Sequence, residues 1–148
     1  IVLGLSGIAA GAATVGCCCQ MVGFAVASFR DNGVSGLITQ GIGTSMVQVP
    51  NIMRKPIIWL PPIFASAILG PVYTIALKMT NLPAGSGMGT SGLVGQIMTF
   101  KSMAGSISTS TIWLYVAILH FIAPAVLTLI FSEAFYRLGW IKRGDMKI

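Results

Sequence analysis

The sequence predicts an all-α, polytopic membrane helix bundle, and three observations carry that prediction. Hydrophobic residues make up 55% of the 148-residue chain and charged residues 8%, against roughly 25% charged in an average soluble domain. Mean hydropathy is +0.87. Residues 1–29, 56–77 and 102–132 contain no Asp, Glu, Lys or Arg, and each run exceeds the roughly 20 residues that cross a hydrocarbon core.

The predicted spans are residues 1–29, 56–78 and 106–132, in a single membrane-embedded domain over residues 1–148 that ends in a tail at 133–148. The opening "IVLGLSGIAAGAATVGCCCQMVGFAVASF" lacks an initiator Met and a basic n-region, and is about twice the length of a signal-peptide h-region. The expectation is a chain that begins inside a larger protein.

The net charge of +6 does not point to nucleic acid, because the basic residues sit at the edges of apolar runs and form no stripe interleaved with aromatics. They report orientation instead. Arg30, Arg54 and Lys55 precede the second span, and Arg137, Lys142, Arg143 and Lys147 follow the third; only Lys78 and Lys101 lie between. With three crossings the two larger groups share a face, and the positive-inside rule makes it cytoplasmic.

Cys17, Cys18 and Cys19 are consecutive. That spacing suits neither a disulfide nor a zinc or redox motif, and they read as small packing residues. No metal and no cofactor is expected.

The two segments between the spans, residues 33–52 and 82–100, are rich in glycine. "GIGTSMVQVPNI" at 41–52 and "GMGTSGLVGQI" at 87–97 share Gly-x-Gly-Thr-Ser, and each precedes a span that begins Ile-Trp-Leu, at 58–60 and 112–114. Repetition of this kind is common in transporters, and if neither segment crosses, the units form an inverted repeat. Unpaired backbone groups in lipid cost several kcal/mol each, so non-helical chain at membrane depth must be buried in protein or line a watery cavity. Two re-entrant Gly-Thr-Ser hairpins follow, or else two short crossings that give five spans.

In the second segment the turn through Pro83, Gly85, Gly87 and Gly89 leads to Thr90 or Ser91 as N-cap of a half-helix carrying Gln96 and ending near Phe100. In the first, Gln40, Thr44, Gln48 and Asn51 would form one helical stripe beside Ser45. Neutral amides and hydroxyls can meet sugar hydroxyls as donors and as acceptors. The alternative is that they bond across helices while the glycines allow close packing.

His120, the single histidine, lies inside the third span, where an ionisable group is a functional candidate, or bonds a carbonyl. Gln20 reaches the cavity or a neighbouring helix. Glu133 and Arg137 form an i,i+4 interfacial pair, and Trp59, Trp113 and Trp140 sit near span ends as anchors. "SISTSTIW" at 106–113 reads as the capped start of the third span. No catalytic constellation and no P-loop appears, so whether the chain takes part in an enzyme is left open.

"GLITQGIGTSMVQVPNI", "IIWLPPIFASAILGP", "NLPAGSGMGTSGLVGQIMTF" and "GWIKRGDMKI" together resemble the C-terminal half of EIIC-like membrane proteins of the phosphotransferase system, in the branch called toxin regulators or perfringolysin-regulator-like proteins. The resemblance implies a permease component of a bacterial cytoplasmic membrane that binds a sugar and presents it to cytoplasmic phosphotransferase subunits, as a homodimer. The substrate-binding candidates are then Gln40, Thr44, Ser45, Gln48, Asn51, Thr90, Ser91, Gln96 and His120. The Glu and His motif of better-known sugar EIIC domains has no counterpart here. Two other readings stay open: a membrane-embedded regulator or sensor of toxin expression, and an ion or other solute transporter using His120 or Glu133.

Overall fold

The computed structural model describes residue 4 and residues 6–148, and its regular structure is helical. The helices are α1 (Gly7–Ala27), α2 (Phe29–Ile38), α3 (Val49–Arg54), α4 (Leu60–Pro71), α5 (Val94–Met103), α6 (Thr109–Val116) and α7 (Ala123–Arg137). Three continuous helical stretches are long and apolar enough to cross a membrane: Gly7–Ala27, Pro56–Ala76 and Thr109–Arg137. The second joins a 3-10 turn, α4 and a π segment, Val72–Ala76; the third joins α6, a π segment, Ala117–Ile122, and α7. Pro71 immediately precedes the first π segment, and Pro124 lies two residues after the second. Pro124 cannot return an N–H to the carbonyl four residues back, at His120, and the helix loosens in the preceding turn.

The first stretch is central, with 61% of its most apolar window buried against 33% and 28% for the other two. Small residues make that possible. A Cβ on Gly11 would lie 2.5 Å from the Met79 carbonyl oxygen, and one on Gly23 2.7 Å from Thr128 Oγ1, so α1 packs backbone-close on both neighbours. Cys18 and Cys19 are buried in this seam as free thiols. One core cluster gathers Val15, Leu69, Tyr73, Ile112 and Val116 at mid-bundle. Another gathers Phe24, Ile58, Phe135, Ile141 and Met146 at one end.

The two Gly-Thr-Ser segments lie between these stretches. The first is not the continuous helix that one polar stripe required. α2 kinks at Gly33 (φ 58°) and passes into a π segment, Thr39–Gly43. Thr44 is then extended (φ −158°, ψ 140°), and a 3-10 turn, Ser45–Gln48, leads into α3. The second segment is a run of turns ending in a 3-10 turn, Ser91–Leu93, and α5. A helix is therefore present here, extended to Met103, but its N-cap is Leu93 rather than Thr90 or Ser91, with no side-chain cap. Two N–H groups at its start, of Ser91 and Leu93, are held by the carbonyls of Met88 and Thr90 rather than left free.

The tail binds both flanks of the first segment. Asp31 accepts from the backbone N–H groups of Gly144 and Met146, and Lys55 Nζ donates to Asp145 Oδ2. Glu133 meets Arg30 at 2.8 Å and its expected partner Arg137 at 3.6 Å, and the Arg30 guanidinium lies over the Tyr136 ring. At the other end, Thr80 and Ser102, the flanks of the second segment, share a 2.8 Å hydrogen bond. Asn81 exchanges backbone hydrogen bonds with Gly7.

Burial alone would push the Asp145 carboxyl up, but the Lys55 hydrogen bond, the Lys142 backbone N–H and the charges of both lysines outweigh it and hold it below the ordinary 3.8. A carboxylate held down stabilises the folded state above its unfolded pKa and loses that contribution as pH falls through the folded value. The tail is therefore expected to loosen below pH 3.8. Hydrogen exchange of residues 142–147 should show that loosening in the native chain, and equally loose exchange at all pH values in Asp145→Asn.

Candidate functional site

The tips of the two segments meet beside the middle of α1. Thr90 Oγ1 donates to the Gly41 carbonyl at 2.5 Å, and Gly89 lies against the Cys17 backbone. Next to this contact is a cleft of about 330 Å³, at the small end of the ~300–1,000 Å³ typical of ligand sites. The first segment contributes Thr44, Ser45 and Met46, the second Gly87, Met88 and Ser91, and α1 contributes Cys17, Gln20 and Met21. None of these side chains is charged. Two larger depressions are less suited to a polar solute. One, of about 390 Å³, is walled by residues such as Val22, Ile38, Ile42 and Phe121, and the other, of about 520 Å³, is a surface hollow beside Leu129, Ile130 and Arg137.

Local chemistry aims the polar groups. Thr44 caps the following turn, its Oγ1 accepting from Met46 N at 3.1 Å, which leaves its O–H free to donate. Gly87 has φ +81°, a left-handed conformation that keeps the turn tight beside the cleft. Trp59 Nε1 donates to Gln20 Oε1 at 2.9 Å.

Of the nine candidates, the structure brings Thr44, Ser45 and Ser91 together at the cleft. Thr90 is buried and joins the two tips. Gln40 is buried, with Nε2 donating to Ser28 Oγ at 2.7 Å and to the Gly36 carbonyl at 3.2 Å. Gln48 and Asn51 hold the tail, donating to the carbonyls of Met146 (2.8 Å) and Lys147 (2.9 Å).

Gln96 and His120 belong to a buried hydrogen-bond chain. Thr99 Oγ1 donates to the Gly95 carbonyl (2.9 Å) and stands 3.4 Å from Tyr73 Oη, which is 3.1 Å from His120 Nε2; His120 Nδ1 is 3.0 Å from Gln96 Nε2. The direction follows from its end. A carbonyl only accepts, so Thr99 uses its proton there and accepts from Tyr73, whose oxygen accepts from Nε2–H. Nδ1 then carries a lone pair, and Gln96 must donate to it. Both ring nitrogens have partners, the ring is stacked on Tyr73 with centroids 5.5 Å apart, and this hydrogen-bond chain ties α5 to the π segments of both neighbouring long stretches.

Cys17 and Met21 were outside the sequence-derived set, and Gln20 was only a polar residue with two destinations. The available signal was spacing, since 17, 20 and 21 share one face of a helix at i, i+3 and i+4. Among the described residues no group of three His, Cys, Asp or Glu side chains is placed to hold a metal ion.

Comparison with curated proteins and with solved structures found no match. The model of the family described as phosphotransferase system, EIIC, matches residues 1–148 in full, so this helical, multi-spanning chain belongs to the EIIC family of the phosphotransferase system.

Proposed function

We propose that the chain is the membrane permease component of a phosphotransferase-type sugar uptake system, and that the cleft between the Gly-Thr-Ser tips is its sugar site. The observation that carries this reading is the convergence of Thr44, Ser45 and Ser91 from two separate segments on one uncharged cleft at the level of Cys17, midway along α1. Membership in the EIIC family supports a sugar as solute and cytoplasmic phosphotransferase subunits as partners.

The two segments are read as re-entrant hairpins entering from opposite faces. Support comes from their flanks: Asp31 and Lys55 both bind the tail, Thr80 and Ser102 bind each other, and the tips touch through Thr90 and Gly41. The end rich in Arg and Lys is read as cytoplasmic. Placement in the toxin-regulator branch, as a C-terminal half, rests on the sequence resemblance alone.

Thermal stabilisation of the full-length, detergent-purified protein by a panel of neutral sugars tests the site, because a ligand that binds only the folded state raises the melting temperature. One sugar should stabilise the native protein. Ser45→Ala and Ser91→Ala should each weaken it roughly fivefold, the equivalent of about 1 kcal/mol per hydrogen bond, while Gln48→Ala should retain native affinity. No stabilisation by any sugar, or full stabilisation in both serine variants, would sink the reading.

A further inference from the structure

The Gln20 amide is fixed in one orientation by a group outside the cleft. An indole N–H can only donate, so the 2.9 Å contact with Trp59 Nε1 requires the amide oxygen on that side. Gln20 lines the cleft and Trp59 does not. The end left for a ligand is the NH2 group, with two donors and no protein partner among the described residues.

The rest of the wall sharpens the consequence. The hydroxyls of Thr44, Ser45 and Ser91 can turn to suit a ligand oxygen, whereas a locked amide cannot. With no Asp, Glu, Lys or Arg on the wall, a cationic ligand meets fixed donors and no counter-charge. Sites that present a fixed hydrogen-bond partner discriminate far more strongly than apolar ones, because the mismatched ligand leaves a polar group unpaired.

Resting on the sugar-site reading, we infer that Gln20, held by Trp59, is a specificity-determining residue that selects a ligand oxygen acceptor and rejects an ammonium group in its place. The preferred ligand class is a neutral hexose over its amino-sugar counterpart. Trp59 acts as a positioning residue: its ring stands at the start of the second spanning stretch, and its N–H sets which end of the amide faces the ligand.

The test measures affinities of the full-length protein in nanodiscs for matched pairs: glucose and glucosamine, galactose and galactosamine, mannose and mannosamine. The native protein should prefer the neutral member of the pair it binds. Gln20→Glu, which exchanges both donors for a carboxylate, should lower that preference at least tenfold by gaining the amino sugar. Gln20→Ala and Trp59→Phe should each weaken the neutral sugar several-fold, and the double variant should lose no more than Gln20→Ala alone, because the indole acts through the amide.

A purely anchoring Trp59 predicts no change in Trp59→Phe, and a bystander Gln20 predicts an unchanged sugar ratio in Gln20→Glu. Either result with a sugar-binding native protein overturns this inference and leaves the permease reading standing. A native protein that binds none of the six sugars overturns this inference and counts against the sugar site itself.

Discussion

Gly95→Ala is expected to abolish a stable fold, with a loss on the order of 3 kcal/mol or more, beyond the ~1–3 kcal/mol typical of overpacking. A Cβ at residue 95 would lie 2.2 Å from the Gly89 carbonyl oxygen and 3.1 Å from Thr14 Cγ2. The first of these is backbone and cannot rotate away. Nor can Gly89 retreat: it has φ +54°, and its own Cβ position lies 2.8 Å from the Cys17 carbonyl carbon. The strain therefore passes straight to α1. Gly16→Ala is the control, with no atom outside its own stretch of helix within 4 Å of its Cβ position, and it should match or slightly exceed native stability, as alanine favours a helix over glycine by about 1 kcal/mol. Fluorescence-detected size exclusion after a heating series reads both; a Gly95→Ala protein that melts like native would show that the second tip is not packed against α1.

Met146→Ala is expected to release the tail, at a cost of about 2 kcal/mol, the low end for Met→Ala in a core. Met146 is fully buried, and its carbonyl accepts from Asn32 (2.7 Å) and Gln48 (2.8 Å). The tail follows the third long helical stretch rather than forming part of it, so it can open locally without unfolding the bundle. Trypsin cleavage at Lys142 and Arg143 tracks that opening, and about 2 kcal/mol corresponds to a roughly thirtyfold faster cut. Ile148→Ala removes a half-exposed side chain and should cut at the native rate. Equal rates in the two variants would mean that the buried methionine does not hold the tail.

The spans were legible because hydrocarbon imposes a length and excludes charge, and both requirements can be read from a string of residues. The Gly-Thr-Ser segments were legible as interruptions for the same reason. The partners of their polar side chains were not. Gln48 and Asn51 face chain 98 and 96 residues away, and no local pattern announces a contact at that separation. The helical stripe failed at Thr44, whose hydroxyl caps the turn after it and so favours the extended backbone seen there. His120 read as a candidate because a lone histidine in a membrane span invites chemistry; its partners Tyr73 and Gln96, 47 and 24 residues distant, could not be read from the sequence around it. Thr44 and Thr90 hold equivalent places in the two Gly-x-Gly-Thr-Ser matches, yet one lines the cleft and the other is buried.

The two tips are fastened unequally. Around the second, Asn81 binds Thr14 and Gly95, Gln96 binds His120, and Thr99 adjoins Tyr73, which ties that segment to all three long helical stretches. The first is gripped at its base by the tail and Ser28, and at its tip by the Thr90 hydroxyl on Gly41. Side-chain hydrogen bonds between membrane helices average about 0.6 kcal/mol, close to thermal energy. Among the described residues the Thr90–Gly41 contact is the one side-chain hydrogen bond that joins the two segments, so the cleft they share is tied at that point by a single weak bond.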